Sequence, residues 1–489
     1  MAISFNKIPA TVRVLLFYCE MDNSAAGTFS ATYRTLLIGQ ALSADEFGKP
    51  AYVSSLAKAK AQYGDGSQLA QMIEGYLDNN TSVEVYALPI ADPDSGTKAE
   101  GSFAISGSAS SAGVLSLYIY NDPVRVPVAQ GDIAETIATA AASAINATAK
   151  LPVTATADSG IVTVTAKHKG LIGNDIVLGL NVGGEANGEQ TPSGISVTIA
   201  QPTGGAGTVD LDVALANLGD EAYDFIVSGW TASGVLEDLR SYMNDSTGQW
   251  SYLKQLFGHV WAAFRGTVAE CQTFGLSHND QHLSVIGIYR TRSPIWKIAT
   301  TTAGTSATSI ASDPTRPLQT FPLEGISAPL TADRFTITER ESLLKKGVST
   351  TNVNAGIVQI DRIITTYQTN AYGQADNSYL SVETLYTSQY ILRALKGRIT
   401  SKYGRHKLAN DGTRFSEGQA IVTPKVICGE LIAMYGELEY QGLVEDMEAF
   451  KENLIVERNQ SDKNRIDVLF TPDYVNQLNV FALVNQFRI

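Results

Sequence analysis

Apolar and polar positions alternate with period two at both ends of this chain. In the closing stretch "QLNVFALVNQFRI", Phe481, Leu483, Phe487 and Ile489 fall on one side of an extended backbone and Val480, Ala482 and Val484 on the other, which predicts a strand over residues 477–489. Near the start, Val12, Val14, Leu16 and Tyr18 alternate with Arg13, Leu15 and Phe17. That predicts an extended arm over residues 3–18, set off by the turn formers of "DNSAAG". A terminus usually frays because little holds it. A strand at each end therefore raises the question of what it pairs with.

Between the arms the period changes. "TLLIG" reads as a buried strand, "SQLAQMIEGYLDNN" as a helix through Leu69, Met72, Ile73, Tyr76 and Leu77, and "SVEVYALPI" as a strand. From residue 92 to 203 the chemistry shifts to Gly, Ser, Thr and Val. There "SFAISG", "VLSLYIY", "VRVPV", "PVTATA", "IVTVTAKH" and "DIVLGLN" predict short strands. A helix over 132–149 sits among them, with a capping box of Asp132 and Glu135 and a stripe of Ile133, Ile137, Ala141 and Ile145. The strand–helix rhythm then resumes with "VDLDVALANLGD" (helix), "YDFIVSG" (strand), "SGVLEDLRSYMND" (helix), "HVWAAFRG" (strand), "VAECQTFGL" (helix) and "LSVIGIY" (strand). This is the pattern of a doubly wound, mostly parallel sheet covered on both faces.

Past the Pro-rich "DPTRPLQTFPLEG", a helix with a capping box of Thr338 and Glu341 ends at Gly347. "GIVQIDRIITTY" predicts a strand. A long helix follows with Val382, Leu385, Leu392, Leu395, Ile399 and Tyr403 on one face, then a helical stretch broken near Gly442. "NLIVERNQSDKNRIDVLF" predicts a hairpin around the turn at 459–464. The fold class is thus α/β, a doubly wound core with an inserted β-rich domain and an α+β C-terminal domain. The expected units are an N-terminal arm (1–27), the first part of the core (28–91), the insert (92–203), the second part of the core (204–330), the C-terminal domain (331–476) and a terminal strand (477–489).

Composition narrows the function. The 489 residues are too many for one core and predict two to four domains. A net charge of −13, from 36 basic and 49 acidic residues, argues against nucleic acid as the main partner. Cys19, Cys271 and Cys428 are scattered and odd in number, which suits neither a disulfide framework nor a zinc site. The opening residues have no apolar core or cleavage site of a signal peptide, and no apolar run reaches the ~18 residues of a membrane span. A reducing cytoplasm is the expected place of synthesis.

Candidate chemistry is sparse. His278 and His282 in "SHNDQH" are four apart, but the segment reads as a loop and carries no HExxH pattern. "PTGGAGTVD" puts glycines before a helix, where a phosphate can sit, yet it has neither GK[ST] nor GxGxxG and reads as a tight turn. No GxSxG elbow accompanies the five histidines His168, His259, His278, His282 and His406. "KGRITSKYGRHK" gathers Lys396, Arg398, Lys402, Arg405, His406 and Lys407 at the end of the long helix. It is either a solvated helix end or a patch that docks on an acidic surface. The acidic "GELEYQGLVEDMEAFKE" reads as a solvated face.

Several long blocks resemble the tail sheath proteins of contractile bacteriophages, of the Mu-like type. They include "NKIPATVRVLLFYCEMDNSAA", "GSFAISGSASSAGVLSLYIY", "AKHKGLIGND", "ITTYQTNAYGQADNSYLSVETLYT", "KLANDGTRF", "AIVTPKVI" and "NRIDVLFTPDYVNQLNVFALVNQF". The resemblance implies a subtilisin-like core without protease activity, and no cofactor or metal. It implies six-fold rings stacked around a tail tube, with baseplate and tail terminator proteins as further partners. Direct nucleic-acid contact and membrane insertion are not implied. The site would be the virion tail, assembled in the host cytoplasm, and contraction would drive the tube through the host envelope. An active subtilisin-like hydrolase and the sheath of a headless, bacteriocin-type particle are the alternatives.

The same family exchanges its arms between subunits. That makes Val12, Val14, Leu16, Tyr18, Val480, Phe481, Leu483, Phe487 and Ile489 the candidate donor residues. The hairpin residues Ile455, Val456, Ile466, Val468 and Phe470 are the candidate acceptor, with "DNSAAG" and "TPDYVNQ" as joints. An unpaired strand edge is a template for another chain. Burial of the last strand in its own subunit is the competing reading. Lys396, Arg398, Lys402, Arg405 and Lys407 are the candidate contact for the tube.

Overall fold

The computed structural model describes residues 32–416 and 418–488. The proposed N-terminal donors Val12, Val14, Leu16 and Tyr18, Cys19, the turn at 22–27 and the terminal Ile489 lie outside the described residues. The first core elements are β1 (Arg34–Gln40), β2 (Ala51–Tyr52), α1 (Leu56–Tyr63), α2 (Gln68–Leu77) and β3 (Glu84–Ile90). The stretch that follows carries β4 (Lys98–Gly107), β5 (Gly113–Ile119), β6 (Asp122–Val128), α3 (Ala134–Ala147), β7 (Val153–Asp158), β8 (Ile161–Lys169), β9 (Leu178–Leu180) and β10 (Ile195–Thr203). The core returns with α4 (Asp212–Ala216), β11 (Phe225–Ser228), α5 (Ser233–Met243), β12 (His259–Arg265), α6 (Val268–Leu276), β13 (Leu283–Ile288) and α7 (Ile295–Ser312).

The core sheet runs β13-β12-β11-β1-β3-β2. Its first five strands are parallel and β2 is an antiparallel edge. Winding reverses between β1 and β11, as in a doubly wound sheet. Leu36, Leu37 and Ile38 of β1 and the whole of β11 and β13 are buried, which is why these strands read as unbroken apolar runs.

Helix α7 was not foreseen. Its sequence is rich in Thr, Ser and Ala, yet Thr300, Thr301, Thr302 and Ser306 are buried. The Thr300 and Thr302 hydroxyls donate back to the carbonyls of Trp296 and Ile298, at 3.0 and 2.8 Å. Threonine hydroxyls satisfied on their own helix help it enter a core although its sequence looks polar.

Residues 98–203 form a four-stranded antiparallel sheet, β10-β4-β8-β7, and a three-stranded one, β6-β5-β9, around α3. The expected capping box does not form. Helix α3 starts after Ile133 with no side-chain cap, because Asp132 instead accepts from the Ala129 amide at 2.7 Å and closes the preceding turn. Ile133, expected in the apolar stripe, is exposed for the same reason.

This region is fused to the core rather than hung from it. Phe103, Leu117 and Val164 belong to the same buried cluster as Leu37 and Ile226. Gly66 (φ +82°) sits so close beneath it that a Cβ would stand 2.4 Å from the Leu151 carbonyl oxygen. Arg265 donates to the carbonyl and carboxylate of Asp175 at 3.0 and 2.6 Å, and Arg292 Nε to the Tyr120 carbonyl at 3.1 Å. The glycines of "PTGGAGTVD" close the stem: Thr97 bridges Ala206, and Gly207 (φ +102°) lies against Gly96.

The ligand crevice of a doubly wound sheet lies beyond the carboxyl ends of its strands, at the reversal point. Here it is filled. Gln68 accepts from the Gln40 amide and donates to the Gly229 carbonyl, both at 2.8 Å. The Gln40 side chain donates to Asp92 and to the Lys169 carbonyl at 2.7 and 3.0 Å. His168 Nε2 accepts the Gln68 amide at 3.2 Å, so its proton is on Nδ1, 2.7 Å from Asp92. Burial would raise the Asp92 carboxyl, but the donors His168, Lys169 and Gln40 hold it below the usual range.

The C-terminal region comprises α8 (Ile337–Leu344), β14 (Thr350–Asn354), β15 (Ile357–Arg362), α9 (Val382–Tyr403), β16 (Lys407–Leu408), β17 (Ile421–Val422), α10 (Pro424–Tyr440), β18 (Val444–Glu445), α11 (Met447–Asn453), β19 (Ile455–Arg458), β20 (Ile466–Leu469) and β21 (Asp473–Tyr474). The capping box of α8 is Thr336 with Glu339, two residues before the expected pair. Leu392 of α9 is 41% exposed, off the buried face. Further helical differences are α4, shorter than foreseen, and α1, which the apolar pattern did not mark.

Replacing His168 with Ala orphans the Gln68 amide and takes one of three donors from the Asp92 carboxylate. We expect a loss of about 1–3 kcal/mol, measured as a lower denaturation midpoint, with faster hydrogen exchange at the Gln68 amide.

Candidate subunit interface

Hairpin β19–β20 is antiparallel, with Ile455 opposite Leu469 and Val456 opposite Val468. Direct partners share a face. Val456 and Ile466 pack toward Ile427 and Leu431 of α10, whereas Ile455 and Leu469 are 52% and 53% exposed. Phe470, just past β20, turns inward against Phe450 with ring centroids 5.2 Å apart. Among the described residues neither strand pairs with a third. The hairpin therefore presents open edges and an apolar outer pair.

The chain then crosses back. β21 pairs with β18, and the Val475 amide donates to the Leu443 carbonyl at 3.3 Å. Tyr474 Oη donates to Ser388 Oγ of α9 at 3.2 Å, and Gln477 to the Thr315 carbonyl at 3.3 Å. "TPDYVNQ" was expected to be a flexible joint; within the subunit these bonds pin it.

Residues 478–488 form neither strand nor helix. Leu478, Val480, Phe481, Leu483, Val484 and Phe487 are 71–83% exposed, on both sides of the backbone. The expected terminal strand is thus unpaired within its own chain, and the competing reading of burial there is not seen. Covering such side chains is worth about 1.5–3 kcal/mol each.

The basic cluster is partly spoken for. Arg398 pairs with Glu430 and Glu437, and Lys402 with Glu430. Tyr403 Oη adds a hydrogen bond to Glu430 at 2.7 Å. Lys407 donates to Gln419 at 3.1 Å, and among the described residues Lys396 and Arg405 make no ion pair. Glu430 is buried, which by itself would raise its carboxyl, but Lys402, Tyr403 and Arg398 outweigh this and hold it down to about 2. Sequence reading missed Glu430 because its partners lie 27 to 32 residues earlier in the chain, on a different helix, α9. The pairing also uses Glu437, from the stretch read as solvated.

The other candidate chemistry stays apart. His278 Nδ1 lies 2.7 Å from the Phe274 carbonyl oxygen, and His282 Nε2 lies 3.0 Å from Asp245. They follow α6 in a loop, as expected, and face different partners. Asp92 and His168 form an acid–imidazole pair, but Nε2 is taken by a backbone amide and has no lone pair left to activate a nucleophile. Cys271 is buried, which pushes its thiol up to about 12, and Cys428 is half-buried elsewhere.

A filled crevice, an open hairpin and an uncovered apolar terminus describe the subunit of an assembly. Comparison with known proteins agrees. The model of the phage tail sheath protein central domain matches residues 204–366, and that of the phage tail sheath C-terminal domain matches residues 374–488. The Mu-like prophage FluMu tail sheath protein of Haemophilus influenzae is 40% identical over 492 residues, spanning 100% of both chains. This chain belongs to the phage tail sheath family, and it is a structural subunit of a contractile sheath. Solved structures similar to it include the sheath tail proteins of Desulfitobacterium hafniense (12% identity, 95% of this chain and 97% of that one, TM-score 0.49) and Listeria innocua (12% identity, 92% and 94%, TM-score 0.48).

A carboxyl held down in the folded state stabilises it fully above its unfolded value, near 4.5, and less as pH falls toward about 2. Acid unfolding of the C-terminal region should show a transition in that window. In Glu430→Gln the transition should flatten, and stability at neutral pH should fall by about 1–3 kcal/mol, read by circular dichroism across a pH series.

Proposed function

We propose that this subunit polymerises as stacked six-fold rings around a tail tube and contracts to drive that tube through a host envelope. The observation carrying the reading is the terminal segment 478–488, apolar on both sides and unpaired in its own chain. A donated strand would gain a ladder of main-chain hydrogen bonds and side-chain pockets from a neighbour. The open hairpin Ile455–Arg458 and Ile466–Leu469 is the acceptor we favour. Head-to-tail contacts that do not close grow into a helix.

The mechanism is mechanical. The extended lattice is metastable behind a barrier, and contraction releases it into better contacts between subunit bodies. Energy is stored at assembly, so no nucleotide is required. Baseplate and terminator proteins are the partners at the two ends, the particle is the site of action, and assembly takes place in the host cytoplasm. A subtilisin-like topology of the core is supported by the parallel doubly wound sheet, and a non-enzymatic role by the occupied crevice.

Electron microscopy of the purified chain should reveal striated hollow tubes. A chain ending at Gln477 should fold with an unchanged circular dichroism spectrum and yield no tubes; normal tubes from it would refute strand donation. For tube docking we favour Lys396 and Arg405, the cations of the cluster without an internal partner among the described residues. Lys396→Glu with Arg405→Glu should cut co-assembly with tail tubes about ten-fold, measured by co-sedimentation, while self-assembly stays intact.

A further inference from the structure

Asp224, at the entrance to β11, is 1% exposed and bonded on every side. Its Oδ2 accepts the amide of Arg34, the first residue of β1, at 2.8 Å, and its own amide donates to the Arg34 carbonyl at 2.8 Å. Its Oδ1 takes hydrogen bonds from Gln389 and Arg393 of α9. Arg34 opens β1, the first strand among the described residues. One residue before Gln389, Ser388 accepts Tyr474 Oη, from the strand at which the C-terminal segment leaves the body. The roots of both termini thus meet on consecutive residues of one helix.

That helix is well placed to transmit force. Val382 and Tyr386 belong to the buried cluster of the core sheet, and Ile391 and Ala394 to that of the C-terminal region. Tyr386 stacks on Phe225 at 4.9 Å and accepts from Trp261 at 3.1 Å. Toward the other end, Glu383 holds the Leu318 amide at 2.9 Å, beside Gln319, which donates to the Leu478 carbonyl at 3.4 Å.

We propose that Ser388 and Gln389 of α9 form a coupling node between the two chain ends, so that loosening the root of one end loosens the root of the other. Asp224 and Tyr474 are the positioning residues on its two sides. The proposal rests on the reading of both termini as inter-subunit arms for its consequence, but not for its test. In a lattice, pull on one arm would reach the other through a single helical turn rather than through the sheet.

The test is hydrogen exchange on the full chain below the concentration at which tubes form, read at the amides of Arg34 and Val475. Gln389→Ala should speed exchange about ten-fold at Arg34 and also severalfold at Val475. Tyr474→Phe should speed both in the reverse order, since coupling between two sites is reciprocal. Amides of the inserted sheet, such as Val164, should keep their wild-type rates. A change confined to the mutated side overturns the node, and so does a uniform rise that includes Val164. If one variant fails to fold, the other carries the same test from the opposite side. Because the chain is unassembled, a negative result here leaves the strand-donation reading to stand or fall on tube formation alone.

Discussion

The buried carboxylate of Asp224 is the constraint around which the described body is organised. A charge removed from water is costly unless its lone pairs are met. Here an amide, an amide side chain and a guanidinium meet them from two separate parts of the fold. Withdrawing any of these donors leaves the buried carboxylate short of a partner. The start of β1 and the middle of α9 are therefore fixed to one point, and the sheet and the C-terminal helices follow from their places relative to it.

The core has the topology of many enzymes but not their empty crevice. Where winding reverses, Gln40, Gln68, Asp92 and His168 close on one another. Two of the four come from the core and two from the stem of the inserted region. The position that elsewhere admits a ligand serves here as the seam between two parts of one chain. Fold alone does not decide function; the occupant of the crevice does.

Much of this was legible in the sequence, and the exceptions have physical causes. The parallel strands were readable because burial on both faces leaves unbroken apolar runs such as "TLLIG". Helix α7 was not, because threonines such as Thr300 and Thr302, which bond their own helix, look polar while being buried. The caps of α3 and α8 were misplaced because Asp132 had a competing turn to close and Thr336 lay two residues from the expected start. At the candidate interface, alternation foretold the hairpin and pointed to the terminal segment, which forms no strand within its own chain. The internal partners of the basic cluster were not legible, since no local pattern tells that Glu430, on another helix, holds Arg398 and Lys402. Long-range polar pairs of this kind, Asp224 with Arg393 among them, leave no periodic trace.

The inserted sheets share their buried floor with the body, with Phe103, Leu117 and Val164 in one cluster with Leu37 and Ile226. Such a region cannot be exchanged like a detachable module. Cutting it away would uncover apolar surface of the body as well as its own. Substitutions cost least in the far strands and their turns, where a side chain can change without disturbing the shared cluster. The inserted region is therefore open to redecoration at its rim, and hardly at all at its base.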